Sequence, residues 1–217
     1  MLHLSSYSSD RETGEDGRIL AFAKEIGETL GIPASNFRRI RWVKYVQSDG
    51  CAFRSGSLGL SSRMKEKLDP SDWKPLLASH FIYKKTRRKR LLPTALKDAA
   101  IYVVIFFVGI ILVARVLGQN GGLVALGYSI LSFFLFSINR STQDTKKRKL
   151  KADIEASKTV GKEKFLLLLR KIDSFRMEDV EKAKKKTILS YFTSRPSITV
   201  RINNLSSAKD SSLTLQG

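Results

Sequence analysis

The sequence predicts an α+β membrane protein: a mostly helical domain with a small β-sheet, interrupted by a two-helix transmembrane hairpin. Three observations predict it. Two long stretches, Ala99–Ala114 and Leu123–Ile138, carry no charge. Dense basic runs, Lys84–Arg90 and Arg140–Lys151, stand on their outer sides. In the rest of the chain the apolar residues fall mainly at helical spacing, with one region of β-branched and aromatic residues set among charges.

Residues 1–16 are polar and Ser-rich and read as a disordered tail, without the apolar core of a signal peptide. Residues 17–94 then form the first part of the domain. Ile19, Ala23, Ile26 and Leu30 recur at helical spacing, and Gly31 and Pro33 close that helix. "FRRIRWVKYV" favours a strand, Ser48–Gly50 a turn, and "CAFRSGSLGLSS" a second extended pair broken by glycines. "LDPSDW" carries helix-start signals, with Asp69 or Ser71 as cap and Pro70 in the first turn. In the helix that follows, Leu76, Leu77, His80 and Tyr83–Lys84 fall on one face.

Residues 95–139 hold the predicted hairpin. A membrane helix needs about 20 apolar residues, and flanking Ala95–Leu96 and Val116–Leu117 lengthen the first run. Lys97, Asp98 and Arg115 would sit near the water interfaces. Gly118–Gly122 leaves room only for a tight turn. Both runs lack the polar stripe of a soluble core helix, which weighs against the alternative of two buried helices. Basic residues at both ends of the hairpin place both flanks in the cytoplasm, as a multi-pass protein of the cell membrane. The lipid bilayer is then the first partner, with anionic head groups at the basic flanks. A protein partner stays open, and no specific nucleic acid is expected, because aromatics are not interleaved with the charges.

Residues 140–205 complete the domain. A basic helix spans 142–158, "KEKFLLLLRKI" and "EDVEKAKKKTILSYF" form two more, and a last short helix starts at Pro196. Residues 206–217 are a tail. The chain of 217 residues has a net charge of +19, a balance typical of binding to anionic membranes or nucleic acid. One cysteine, Cys51, excludes an internal disulfide framework and a cysteine-cluster zinc site. Two histidines, His3 and His80, are too few for an all-histidine metal site.

Four segments in order carry a family resemblance: "CAFRSGSLG", "PLLASHFIYKK", "KLKADIEASKTVGKEKFLLLLRKI" and "SRPSITVRINNL". The chain resembles the membrane-bound zinc metallopeptidases related to HtpX and the type I CAAX prenyl protease, over about residues 46–205. The resemblance implies a gluzincin-like domain whose zinc-site helix contains His80, followed by the hairpin and a helix that supplies a further ligand. Carried over residue by residue, the first zinc ligand falls on His80, the catalytic base on Phe81, the second ligand on Lys84 and the third on Lys149. The aspartate that orients a ligand histidine falls on Asp153, the oxyanion-stabilising arginine on Arg201, and a preceding histidine on Arg195.

This is a degenerate site. Phenyl carbon cannot accept a proton, and a lysine ammonium offers donors only, so Phe81, Lys84 and Lys149 cannot do the work of a base and two ligands. The resemblance therefore implies a pseudopeptidase with no cofactor, acting as a binding or regulatory protein. His80 and Asp153 are expected to remain as a hydrogen-bonded pair. Lys84, Lys149, Arg195 and Arg201 are expected to converge on the former cleft, where they would suit an anion. Two alternatives stay open. One is an active zinc metalloendopeptidase with ligands relocated among Asp69, Asp72, Asp144, Asp153 and Glu155. The other is a membrane tether that binds anionic lipid or nucleic acid through its basic flanks.

Overall fold

The structure is a computed structural model; it describes residues 9–54, 56–89, 100–104, 106–112, 115, 122–185 and 193–208. Two compact units divide it. The first comprises residues 1–84, 149–186 and 196–217, the second residues 85–148 and 187–195.

The first unit opens with α1 (Ser9–Thr29), which starts earlier than the sequence expectation. Ile19, Ala23 and Ile26 are its buried stripe, as their spacing requires. Gly31 ends it at φ +73°, a left-handed conformation that glycine adopts without a Cβ penalty. Three short strands follow: β1 (Arg39–Val43), β2 (Cys51–Arg54) and β3 (Ser57–Ser61). The sheet order is β1-β3-β2, with β3 parallel to β1 and antiparallel to β2. Leu58 pairs with Ile40 and Phe53, and Leu60 with Trp42 and Cys51. Both central leucines are fully buried, each worth about 2 kcal/mol of burial.

Helix α2 (Trp73–Lys89) begins where its capping residues say it should. Pro70–Asp72 form a 3-10 turn, and the Asp72 carboxylate accepts from the Asp69 backbone N–H at 3.1 Å. Trp73, Leu76, Leu77 and Phe81 then enter the core. Helix α3 (Gly122–Val160) passes from the second unit into the first, where Ala152 and Ala156 are buried. Helices α4 (Lys162–Ser174), α5 (Glu178–Lys184) and α6 (Ile198–Ser207) close the unit. Ser197 caps α6 directly after Pro196, accepting from the Val200 N–H. Phe165, Leu169, Ile172, Ile198 and Leu205 share one core with the residues above.

The mostly helical architecture and small sheet agree with expectation; the transmembrane hairpin does not. Among the described residues, no helix is long and apolar enough to cross a membrane. Of the first apolar run, the structure describes residues 100–104, 106–112 and 115, all helical. The second is only the leading part of α3, which continues without a break into Arg140–Lys151. The transmembrane part of the fold, and the multi-pass membrane placement drawn from it, are therefore corrected. The expected turn at 118–121 and the flank 90–99 lie outside the described residues.

Within the second unit the two helical stretches touch. The Tyr102 and Phe133 rings are 4.2 Å apart, and Gly109 lies beside Tyr128. Their outer surfaces are apolar and exposed, with Val104, Phe107, Leu112, Ile130, Leu131 and Phe134 each 58–63% accessible. These stretches are thus not the buried core helices of the alternative reading either.

Candidate functional site

Helix α2 sends alternate residues to opposite fates. Phe81 is 1% exposed and packs between Phe37 (5.1 Å) and Phe53 (6.2 Å). The position that would hold a catalytic base is thus the centre of an aromatic core cluster. His80, next along the helix, is only partly buried.

The polar centre of the unit is Arg201, on α6. Its Nε and one terminal nitrogen donate to the two oxygens of Asp153, both at 2.8 Å, a bidentate pair. The other terminal nitrogen donates to the Asp49 carboxylate at 3.0 Å and to the Asp49 backbone carbonyl at 2.7 Å. Both aspartate side chains are 1% exposed and the arginine side chain 9%. Ser79, on α2, donates its hydroxyl to Asp153 at 2.5 Å. The Phe165 ring lies 5.7 Å from the guanidinium carbon. The loop that presents Asp49 is held in turn by Asp179 of α5, which accepts from the Ser48 N–H and hydroxyl at 2.8 Å each. Four chain segments, distant in sequence, therefore meet around one guanidinium.

This arrangement corrects two expectations. Asp153 pairs with Arg201 and Ser79, so the expected His80–Asp153 hydrogen bond is not formed. Arg201 directs four hydrogen bonds to Asp153 and Asp49, three of them to carboxylate oxygens, in place of the open cleft expected around it. Asp49 and Ser79 carry no signal in the sequence. An aspartate before glycine in a turn is already explained by turn chemistry, and a serine in a helix is unremarkable there.

Lys84 and Lys149 do sit close to His80. Both ammonium groups act on the imidazole, and together with burial they hold its pKa down at about 4, burial being the largest cause. Lys84 donates to the Phe53 carbonyl at 3.2 Å and stands 4.1 Å over that residue's ring. Lys149 lies 5.7 Å from the Tyr83 ring centroid. Its own pKa is lowered, first by burial and then by Arg201, with Asp153 opposing. Arg195 belongs to the second unit.

The zinc implied by the family resemblance does not fit these residues. One imidazole is flanked by two ammonium groups where ligand atoms would be needed, and the base position is phenyl. Relocated carboxylates do not repair the set. Asp69 and Asp72 pair with Lys171, Asp153 with Arg201, and Asp144 lies in the second unit, paired with Arg148. Among the described residues, no group of three or more His, Cys, Asp or Glu side chains is placed to hold a metal ion. Cys51 is no nucleophile: its thiol points to the Leu76 carbonyl at 3.5 Å, and burial pushes its pKa up to about 12. No family model, curated protein or solved structure matches the chain.

Proposed function

We propose that the chain is a catalytically silent relative of the zinc metallopeptidases, one that works by binding rather than by cleaving. A single observation carries this reading: two lysine ammonium groups bear on the half-buried imidazole of His80, at the positions where the family places metal ligands. Like charge placed there opposes a dication by several kcal/mol at short range. The surface around His80, Lys84 and Lys149 suits a carboxylate or phosphate group of a partner instead.

Zinc calorimetry on the full chain tests the reading. The wild-type protein should take up no stoichiometric zinc and should show no chelator-sensitive cleavage of casein. The double variant Lys84→His/Lys149→Glu, which restores two donor atoms, should gain a zinc site. One tightly held equivalent in the wild type, lost in His80→Ala, would overturn the proposal.

The second unit favours an additional partner, anionic lipid held at its surface. The observation is the order of groups along α3: exposed Ile130, Leu131 and Phe134 first, then Arg140 and Lys146–Arg148. Apolar side chains can enter the acyl boundary while basic ones meet head groups, without any span. Co-sedimentation should be stronger with phosphatidylserine vesicles than with phosphatidylcholine, and should weaken as salt rises. Equal binding to both compositions would refute it.

A further inference from the structure

The sheet of the first unit turns a cationic face away from the helices. Side chains of a strand alternate between its two faces. Trp42 turns toward α1 and α2, where its indole donates to Asp16 at 2.9 Å and its ring meets Trp73 at 5.7 Å. Arg39 and Arg41 therefore turn the other way, and the register through Ser57 puts Arg54 on their side. All three are exposed. Arg38 adds a fourth guanidinium at the same end, its stem folded over Gly56. Among the described residues no carboxylate lies within ion-pair distance of any of the four. Between Glu28 and Glu66 the one acidic residue is Asp49, which Arg201 holds in the interior. Asp179 sits with Ser48 and Arg63, past the far end of β3. By contrast Lys74, Lys171 and Lys184, on other surfaces of the unit, are each paired with a carboxylate. Just beyond β1 the side chain of Tyr45 stands 79% exposed.

We infer that this face binds single-stranded nucleic acid without reading its sequence, the arginines holding successive phosphates and Tyr45 stacking on a base. Arg39 and Arg41 are about 6.7 Å apart along β1, and Arg54 stands two strand spacings, about 10 Å, across the sheet. Guanidinium groups at such intervals can follow one phosphodiester backbone, each able to take two phosphate oxygens. An exposed ring beside them adds stacking, which an unpaired base accepts and a duplex does not. A lipid surface fits less well. Leu58 and Leu60 are fully buried and Tyr45 is the large apolar side chain left outside, so this face has little to place in an acyl boundary. An acidic peptide would meet the charge and leave the ring unused. The basic runs 84–90 and 140–151 contain no aromatic residue, but β1 lies outside both and leads directly into Lys44 and Tyr45.

A fluorescein-labelled oligothymidylate of about 12 nucleotides is the probe, read by anisotropy on the full chain. Binding should saturate and should weaken with salt at a log–log slope of about −2, from three phosphates at about −0.7 each. Arg41→Glu and Arg54→Glu should each weaken it about tenfold and flatten the slope, whereas Tyr45→Ala should weaken it about tenfold with the slope kept. All three side chains are exposed, so the core is left alone. Lys147→Glu reverses an exposed charge in the second unit and should leave binding nearly unchanged. Equal losses from Lys147→Glu and Arg41→Glu would overturn the inference. So would full binding by Tyr45→Ala, the mark of a surface for any polyanion. Arg41→Glu that releases phosphatidylserine vesicles yet keeps the oligonucleotide would make the face a lipid surface and overturn it equally. None of these substitutions touches His80, so this site and the proposed function fail separately.

Discussion

Replacing Arg201 by methionine is the most direct test of what holds the first unit together. The arginine makes four hydrogen bonds, all to Asp49 and Asp153, and both carboxylates are 1% exposed. Methionine fills similar space but leaves two buried negative charges facing each other. Removing one partner of a buried pair costs about 3–5 kcal/mol. Against a domain stability of about 5–15 kcal/mol, that is a large share. Urea unfolding followed by the fluorescence of buried Trp73 measures it. A cycle with Asp153→Leu separates the pair from the packing. The double variant should recover about 2–3 kcal/mol relative to the sum of the single losses, because it removes one of the stranded charges as well. A cost below about 1 kcal/mol for Arg201→Met, or an additive cycle, would show that the guanidinium does not tie these segments together.

Two further outcomes follow from helix α2. The folded state holds the His80 pKa at about 4 while the unfolded chain has the ordinary 6.5, so the unfolded state binds the extra proton between those values. Stability from neutral His80 is complete above pH 6.5 and is lost as pH falls toward 4. The gap corresponds to about 3 kcal/mol, which the partial exposure of the ring trims to about 2. His80→Gln should flatten that part of a stability–pH curve relative to wild type; parallel curves would refute the assignment. Phe81→Ala should cost about 3–5 kcal/mol by calorimetry, since its ring fills the space between Phe37 and Phe53. A loss under about 1 kcal/mol would mean the ring faces an open cleft after all.

Much of the first unit is legible in the sequence because its signals are local. Asp69 with Pro70, Pro196 with Ser197, and Gly31 after an apolar period of 3.6 each act within one turn, and each marks the helix boundary found. The strand in "FRRIRWVKYV" is equally visible, although its parallel pairing with Ser57–Ser61 is not. Parallel register depends on a crossover, and nothing in five residues encodes it. The site is harder. Spacing puts His80 and Lys84 on one face, the family resemblance adds Lys149, and both ammonium groups act on the imidazole. The resemblance also pairs Asp153 with His80, whereas a carboxylate takes its partner from the geometry of long-range packing, here Arg201 and Ser79. A guanidinium offering two parallel donors outcompetes an imidazole that burial keeps neutral. The transmembrane expectation is overturned for a related reason. Composition alone shows how apolar a run is, and cannot show that α3 carries it straight on into charged residues.

Lys149 is the residue for which stability and the proposed binding role point in opposite directions. Burial and the Arg201 charge both disfavour its ammonium form, and Asp153 compensates only in part. Its folded pKa therefore lies below the ordinary lysine value. A charged lysine at that position costs the fold stability at neutral pH, and the cost fades as pH rises from that lowered pKa to the ordinary lysine value. Methionine would fill the space without a charge, so Lys149→Met should raise stability by about 1 kcal/mol. The same change should raise the His80 pKa, since one of the two ammonium groups depressing it is gone. Binding of a carboxylate or phosphate group beside His80 should fall at the same time. A residue that weakens the fold and strengthens recognition marks a functional site. Lys149→Met that is less stable than wild type, with the His80 titration unmoved, would make Lys149 an ordinary part of the packing and leave the binding role without its central charge.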